Sequence, residues 1–198
     1  MHRFAIIYGL TISLLLLAVL TVEADPIDFV ATLSGPAENP TNASPGTGTA
    51  RVTFDLAAHM LRVQVAFSGL DAPTIASHIH CCVLPPGTAM VATALPSFLG
   101  FPLGVTSGSF DNTFNTSVDA TYNPAFISAN GGTAASAEAI LFAGMVAGQS
   151  YLNIHTTQFP GGEIRGFLAA VPEPGTLLLL TTGLAGLAQR LRRKRPVT

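Results

Sequence analysis

The sequence predicts an all-β domain, an antiparallel β-sandwich or barrel, flanked by two terminal segments that do not belong to the fold. Two observations predict this class. Apolar and polar residues alternate along several short segments, as they do in half-buried strands, and clusters of Gly, Pro, Asn and Ser separate those segments. Many short strands divided by such turns are typical of sandwiches and barrels.

The predicted strands follow this alternation. It is strictest at 61–67, where Leu61, Val63, Val65 and Phe67 share one face. The other predicted strands are 27–33, 51–56, 75–83, 107–114, 139–142, 150–156 and 163–169. Residues 134–139 could form a single helical turn. The apolar, proline-rich stretch 85–105 lacks alternation, so we expect an ordered crossover loop; covering the core is favoured over serving as a binding surface.

The first 24 residues have the three parts of a secretory signal peptide. Arg3 gives a basic start, an apolar run follows over 4–20, and small residues stand at Val22 and Ala24. We therefore expect signal peptidase to cut after Ala24, so that the main domain is exported across the inner membrane. The alternative is an uncleaved membrane anchor.

The C-terminal segment is apolar over 175–189 and then strongly basic. A helix over 176–191 would be about 24 Å long, slightly short of the hydrocarbon core of a bilayer. The basic cluster should stay cytoplasmic, which places the main domain on the far side of the membrane. The sequence thus predicts a short transmembrane helix that anchors the exported chain transiently.

The region between the two segments, 25–170, has the size of one domain. It contains three basic and nine acidic residues, a net charge of −6 with histidine neutral. Because nucleic acid is bound through positive charge, this balance disfavours a nucleic-acid partner.

Several segments of this region together resemble the CHRD family, found in chordin and in many exported bacterial proteins. They are Phe29-Val30-Ala31-Thr32-Leu33-Ser34-Gly35, Gly46-Thr47-Gly48-Thr49-Ala50, Phe67-Ser68-Gly69-Leu70, Ser77-His78-Ile79-His80, Tyr151-Leu152-Asn153-Ile154-His155-Thr156 and Phe159-Pro160-Gly161-Gly162-Glu163-Ile164-Arg165-Gly166. The last block is the most specific. The chain departs from the family at Glu38-Asn39-Pro40, where many members have two prolines, and at Cys81-Cys82, where many have Gly-Pro.

Residues 171–198 resemble a PEP-CTERM sorting signal, with a proline motif, an apolar run and a basic end in that order. The residues that carry the likeness are Pro172, Glu173, Pro174, Arg192, Arg193 and Arg195. The resemblance implies cleavage by an exosortase, a membrane enzyme of Gram-negative bacteria that make exopolysaccharide, and release to the cell surface or the medium. A plain C-terminal anchor is the alternative.

Three histidines are the best candidates for a site. His78 and His80 are two residues apart on a predicted strand and so project from one face, while Ile75 and Ile79 point to the core. The same reasoning turns His155 outward from its strand. If the two strands are neighbours, three imidazoles converge, and imidazole suits copper or zinc. The arrangement resembles the copper site of copper–zinc superoxide dismutases, which implies copper as the ion. The predicted sandwich or barrel is expected to be immunoglobulin-like or superoxide-dismutase-like.

That likeness covers only part of a dismutase site. No bridging histidine or zinc-ligand cluster is evident, and His59 is the one spare histidine of the domain. The alternative is a structural role, in which the three histidines only hydrogen-bond to neighbours and fix strand register. Both metal binding and this structural role stay open.

The two cysteines of the chain are adjacent, Cys81 and Cys82. Their Cα atoms would be about 3.8 Å apart across a trans peptide, under the usual span of a disulfide. A strained disulfide, free thiols, metal ligation and pairing with another chain all stay open. Alternation puts Cys82 on the face of His80, which makes Cys82 a candidate fourth ligand.

Glu163 and Arg165 also share a face and are expected to pair with charges on adjoining strands. No nucleophile motif, phosphate loop or dinucleotide fingerprint appears in the sequence. The preferred function is a non-enzymatic binding module of the surface or the biofilm matrix, with exopolysaccharide as one expected partner. The alternative is a copper-binding redox protein.

Overall fold

A computed structural model describes residues 25–172, 182–184 and 189–190 of the chain. The predicted signal peptide and most of the predicted transmembrane helix, with Glu173, Pro174, Arg192, Arg193 and Arg195, lie outside these residues. Pro172 is the last described residue before the tail. Among the residues that are described, no helix is long and apolar enough to cross a membrane.

The domain is built on one antiparallel sheet that curls into a half-barrel. Its strands are β1 (Ile27–Ser34), β2 (Thr47–Asp55), β3 (Met60–Ser68), β4 (Thr74–Cys81), β5 (Met90–Val91), β6 (Gly108–Asn115), β7 (Ser150–Thr156), β8 (Ile164–Phe167) and β9 (Ala169–Ala170). The order across the sheet is β5-β4-β7-β8-β1-β2-β3-β6, and β9 pairs with β1. The predicted all-β class is confirmed.

The core lies on one face of this sheet, beneath two helices. Apolar residues at alternate positions of the strands, such as Val52, Phe54 and Val63, are fully buried there. From the helical side, Leu141 and Met145 pack into the same cluster. The period-2 alternation therefore does what the sequence predicts, because every second side chain of a strand points to the same face.

The helices are α1 (Pro124–Ala129) and α2 (Ala134–Val146). The strand predicted at 139–142 is wrong, because these residues lie inside α2. An N-terminal capping box starts that helix: Thr133 accepts a hydrogen bond from the Ser136 amide, and Ser136 accepts one from the Thr133 amide. The helix is also rich in alanine, the residue with the highest helix propensity.

Residues 84–105, here called the cover segment, wrap around the edge of the sheet beside β4. The strand β5 within it pairs with β4. Further along, Phe98 and Phe101 enter the core and stack against Phe110 and Phe67 respectively. The structure agrees with the expectation of an ordered loop that covers the core.

Candidate metal centre

The candidate site lies on β4, β7 and β8, on the side of the sheet opposite the core. Antiparallel pairing of β4 with β7 sets His78 opposite Asn153, His80 opposite Tyr151 and Ala76 opposite His155. Directly opposed residues point to the same face of a sheet. Pairing of β7 with β8 adds Arg165, opposite Asn153, to this face. We call the face formed by His78, His80, Tyr151, Asn153, His155 and Arg165 the covered face.

The three histidines lie on the face opposite the core, as the alternation predicts, but this covered face is buried rather than open to solvent. His78, His80 and His155 are only 5 %, 7 % and 8 % exposed. The reason is that the cover segment and the loop after β7 fold over them. One core prediction is also corrected: Ile75 is 39 % exposed, because the β4–β7 pairing is irregular between Thr74 and Ala76.

Each histidine is held by one main-chain carbonyl of a covering loop. His78 Nε2 donates to the Pro96 carbonyl at 2.7 Å. His80 Nδ1 donates to the Ala89 carbonyl at 2.9 Å, and His155 Nδ1 donates to the Pro160 carbonyl at 3.0 Å. A carbonyl oxygen can only accept, so the bonded nitrogen carries the hydrogen and the other nitrogen of each neutral ring has a free lone pair.

Those remaining nitrogens have no hydrogen-bond partner. They are His78 Nδ1, His80 Nε2 and His155 Nε2, all buried. One ligand nitrogen from each of the three rings lies within 4.8 Å of the others. Metal–nitrogen bonds near 2 Å would bring three such atoms to about 3.5 Å from one another, so binding requires a closure of roughly an ångström.

The protonation state of the rings suits metal binding. Burial, together with the charge of neighbouring imidazoles, lowers the pKa of His78 to about 4 and that of His80 to about 4. Burial also lowers the pKa of His155. All three rings are therefore neutral at neutral pH, which is the form that ligates a metal.

His80 is packed against the aromatic ring of Tyr151, which also contacts Arg165. The Tyr151 ring lies parallel to the imidazole of His80, with centroids 4.7 Å apart. The Arg165 guanidinium lies 4.7 Å from the Tyr151 ring centroid on the covered face. Arg165 is 1 % exposed and donates to the carbonyls of Ala37, Pro86 and Gly87. It thereby fixes the start of the cover segment.

Asn153 and Glu38 extend the polar surface beside the histidines. Asn153 Oδ1 and Glu38 Oε1 are both buried without a hydrogen-bond partner. Each would lie 2.7 Å from a Cβ placed on Gly162. Gly162 has a φ of +132°, which other residues rarely adopt, and any side chain there would displace these two groups.

Cys82 does not belong to the site, and the prediction of Cys82 as a fourth ligand is corrected. It forms a disulfide with Cys81 across a cis peptide bond, and a sulfur in a disulfide is not a thiolate ligand. The cluster of possible ligands found among the described residues contains the three histidines alone.

Glu163 and Arg165 have structural contacts rather than the expected pairing across strands. Glu163 is fully buried and accepts hydrogen bonds from Ser44 Oγ, the Asp71 amide and Thr156 Oγ1, each at 2.6 Å. Arg165 instead lies 3.7 Å from Glu38, in the loop after β1. No sequence signal identifies Ala89, Pro96 and Pro160 as partners of the histidines, because they act through their main chain.

A family model for the CHRD domain matches residues 29–168, and a model for the PEP-CTERM protein-sorting motif matches residues 170–194. Neither the curated proteins nor the solved structures contain a significant match to the chain. The sorting motif implies export, processing by an exosortase, and a location at the cell surface or outside the cell. The chain belongs to the CHRD domain family and carries a PEP-CTERM sorting motif at its C-terminal end.

Proposed function

We propose that this exported CHRD domain is a non-enzymatic module that binds a copper ion through His78, His80 and His155. Two observations carry the proposal together: each of the three rings has a buried nitrogen without a hydrogen-bond partner, and one ligand nitrogen from each ring lies within 4.8 Å of the others. A buried acceptor without a partner costs about 1–3 kcal/mol. A purely structural role accounts for one nitrogen of each ring and leaves the other three unexplained.

The donor set supports copper in particular. Imidazole is a ligand for copper, zinc, iron and nickel, and copper binds such sites most tightly among the divalent metals. Each ring also donates a hydrogen bond from its other nitrogen to a main-chain carbonyl, which is how metal-ligating histidines are usually oriented.

A redox enzyme of the dismutase kind is the less favoured candidate. Among the described residues, the one remaining histidine, His59, does not approach the cluster but bonds to the Glu138 carboxylate on the opposite side of the domain's core. The loops that bury the three histidines also oppose rapid access of a substrate to a metal there.

The test removes the ligand nitrogen of each histidine and keeps the hydrogen bond that the other ring nitrogen donates. An asparagine amide can take the place of histidine Nδ1, and a glutamine amide that of Nε2. His80→Asn and His155→Asn therefore preserve the bonds to Ala89 and Pro160, and His78→Gln preserves the bond to Pro96. Elemental analysis of the purified protein should find about one copper ion per chain in the wild type and almost none in each variant.

The matched control is His59→Asn, which removes a histidine outside the cluster and keeps a donor in place of Nδ1 for the Glu138 carboxylate. It should bind copper like the wild type. Equal copper uptake by the wild type and the three site variants, with folding confirmed by circular dichroism, would return the histidines to a structural role.

The C-terminal tail suggests how the domain reaches the cell surface. We propose that the apolar tail holds the exported domain at the inner membrane until the exosortase cuts it, and that surface components such as exopolysaccharide are then its partners. The order of the sorting motif supports this. Cells without the exosortase should keep the full-length protein in their membrane fraction; an unchanged mass and location there would contradict the proposal.

A further inference from the structure

We propose that the three-histidine site is selective for monovalent copper, Cu(I), over Cu(II) and Zn(II). This inference rests on the proposed copper-binding function and specifies the charge of the ion. It follows from the donor set, from a fixed charge close to the site and from the burial of the site.

The ligands bring no negative charge. All three are imidazoles, and each is oriented by a neutral carbonyl rather than by a carboxylate. In the part of the chain that the structure describes, no Asp, Glu or Cys joins the cluster. A divalent ion in this site would therefore keep its full double charge.

A fixed positive charge lies close to the site. The Arg165 guanidinium lies 4.7 Å from the centroid of the Tyr151 ring, and that ring stacks on His80 with 4.7 Å between centroids. Arginine stays charged at all relevant pH values. Glu38, 3.7 Å from Arg165, offsets this charge incompletely, because burial raises the pKa of its carboxyl to about 7.

Burial multiplies the effect of ion charge. The free-energy cost of moving an ion from water into a buried site grows with the square of its charge, so a divalent ion pays about four times the cost of a monovalent one. Three donors also suit Cu(I), which accepts three ligands. Zn(II) requires a fourth ligand, and Cu(II) prefers a tetragonal arrangement.

The experiment compares three ions on the exported, purified protein. Cu(I) is titrated without oxygen against a chromophoric Cu(I) chelator, and Cu(II) and Zn(II) are titrated against chelators of known affinity. The Kd for Cu(I) is expected to be lower than the Kd for either divalent ion by at least about a hundredfold.

A variant of nearly equal shape changes the charge of the site. Asn153→Asp places a carboxylate on the covered face, directly opposite His78. It should reduce the ratio of Cu(I) affinity to Cu(II) affinity by roughly tenfold or more. Asn115→Asp makes the same change at the exposed end of β6, on the far edge of the sheet, and should leave the ratio unchanged.

The outcomes separate the two proposals. Tighter binding of Cu(II) or Zn(II) than of Cu(I), still dependent on the three histidines, would overturn the selectivity for Cu(I); with Cu(II), copper binding itself would stand. Binding of none of the three ions would overturn the copper-binding function. If Asn153→Asp does not fold, the ratios measured on the wild type decide.

Discussion

Two halves of one sheet share the same alternation of side chains between its two faces, but they differ in how the face opposite the core is covered. Along β3, apolar residues face the core and the alternate residues, such as Arg62 and Ala66, are exposed. Along β7, every residue is buried, on both faces. We call the solvent-exposed face of β2, β3 and β6, which contains Arg51, Arg62 and Asp111, the open face; it continues the covered face across the same sheet.

The difference lies in what covers each face. Charges on the open face meet in solvent, as Arg62 and Asp111 do with a nitrogen–oxygen distance of 2.7 Å and both side chains about half exposed. On the covered face, loops replace water, and the polar groups bond to main-chain carbonyls instead. Three imidazole nitrogens remain without such partners. A covered polar face thus becomes a candidate site, whereas an open one serves solubility.

The largest change in the free energy of unfolding should come from removing Arg165, the buried cation of the covered face. Arg165→Ala takes the donor away from three carbonyls and the opposite charge from Glu38. We expect it to lower the free energy of unfolding by about 3–5 kcal/mol, as for other broken buried pairs. Urea denaturation measures this change.

The matched variant on the open face is Arg62→Ala, which removes an arginine whose pair with Asp111 is hydrated. It should leave the denaturation midpoint within experimental error of the wild type. Equal losses in the two variants would show that the cover makes no energetic difference between the faces.

A smaller effect, which depends on pH, is expected at Glu38. Burial raises the pKa of this carboxyl from 4.5 to about 7 in the folded protein. Its contribution to stability is therefore fully present below about pH 4.5 and is lost as the pH rises through 7, by up to about 3 kcal/mol. Glu38→Gln, which stays neutral, should match the wild type at pH 5 and be more stable at pH 8.

Unfolding curves of the two proteins from pH 5 to 8 measure this difference. The control is Asp111→Asn on the open face. The hydrogen bond from Arg62 lowers the pKa of Asp111, so its carboxyl is ionised throughout this range and its variant should show no such trend. Parallel curves for the wild type and Glu38→Gln would refute the prediction.

The comparison also explains what could be predicted from the sequence. The period of two in β4 and β7, with the pairing of these strands, is enough to bring His78, His80 and His155 together. The burial of that face could not be predicted. Alternation assigns residues to the two faces of a strand, but it does not show whether a loop covers either face. The helix α2 was predicted only as a helical turn at 134–139, because the apolar residues that follow resemble a short buried strand.

The partners of the charged residues escaped prediction for a related reason. Arg165 donates to the carbonyls of Ala37 and Pro86, which lie far from it along the chain. Every residue has a main-chain carbonyl, so the sequence does not mark which of them binds a side chain. Likewise, the two adjacent cysteines allow a disulfide in the sequence, but whether Cys81 and Cys82 form one depends on the local backbone geometry as well.

The use of main-chain carbonyls to orient the imidazoles has a consequence for how this domain can change over evolution. A point substitution at Ala89 or Pro96 leaves the carbonyl oxygen in place, so the loops over the site are free to drift in composition. An insertion or deletion there moves the carbonyl away from its ring. We therefore expect related chains that keep the three histidines to preserve the lengths of these loops more strictly than their residues.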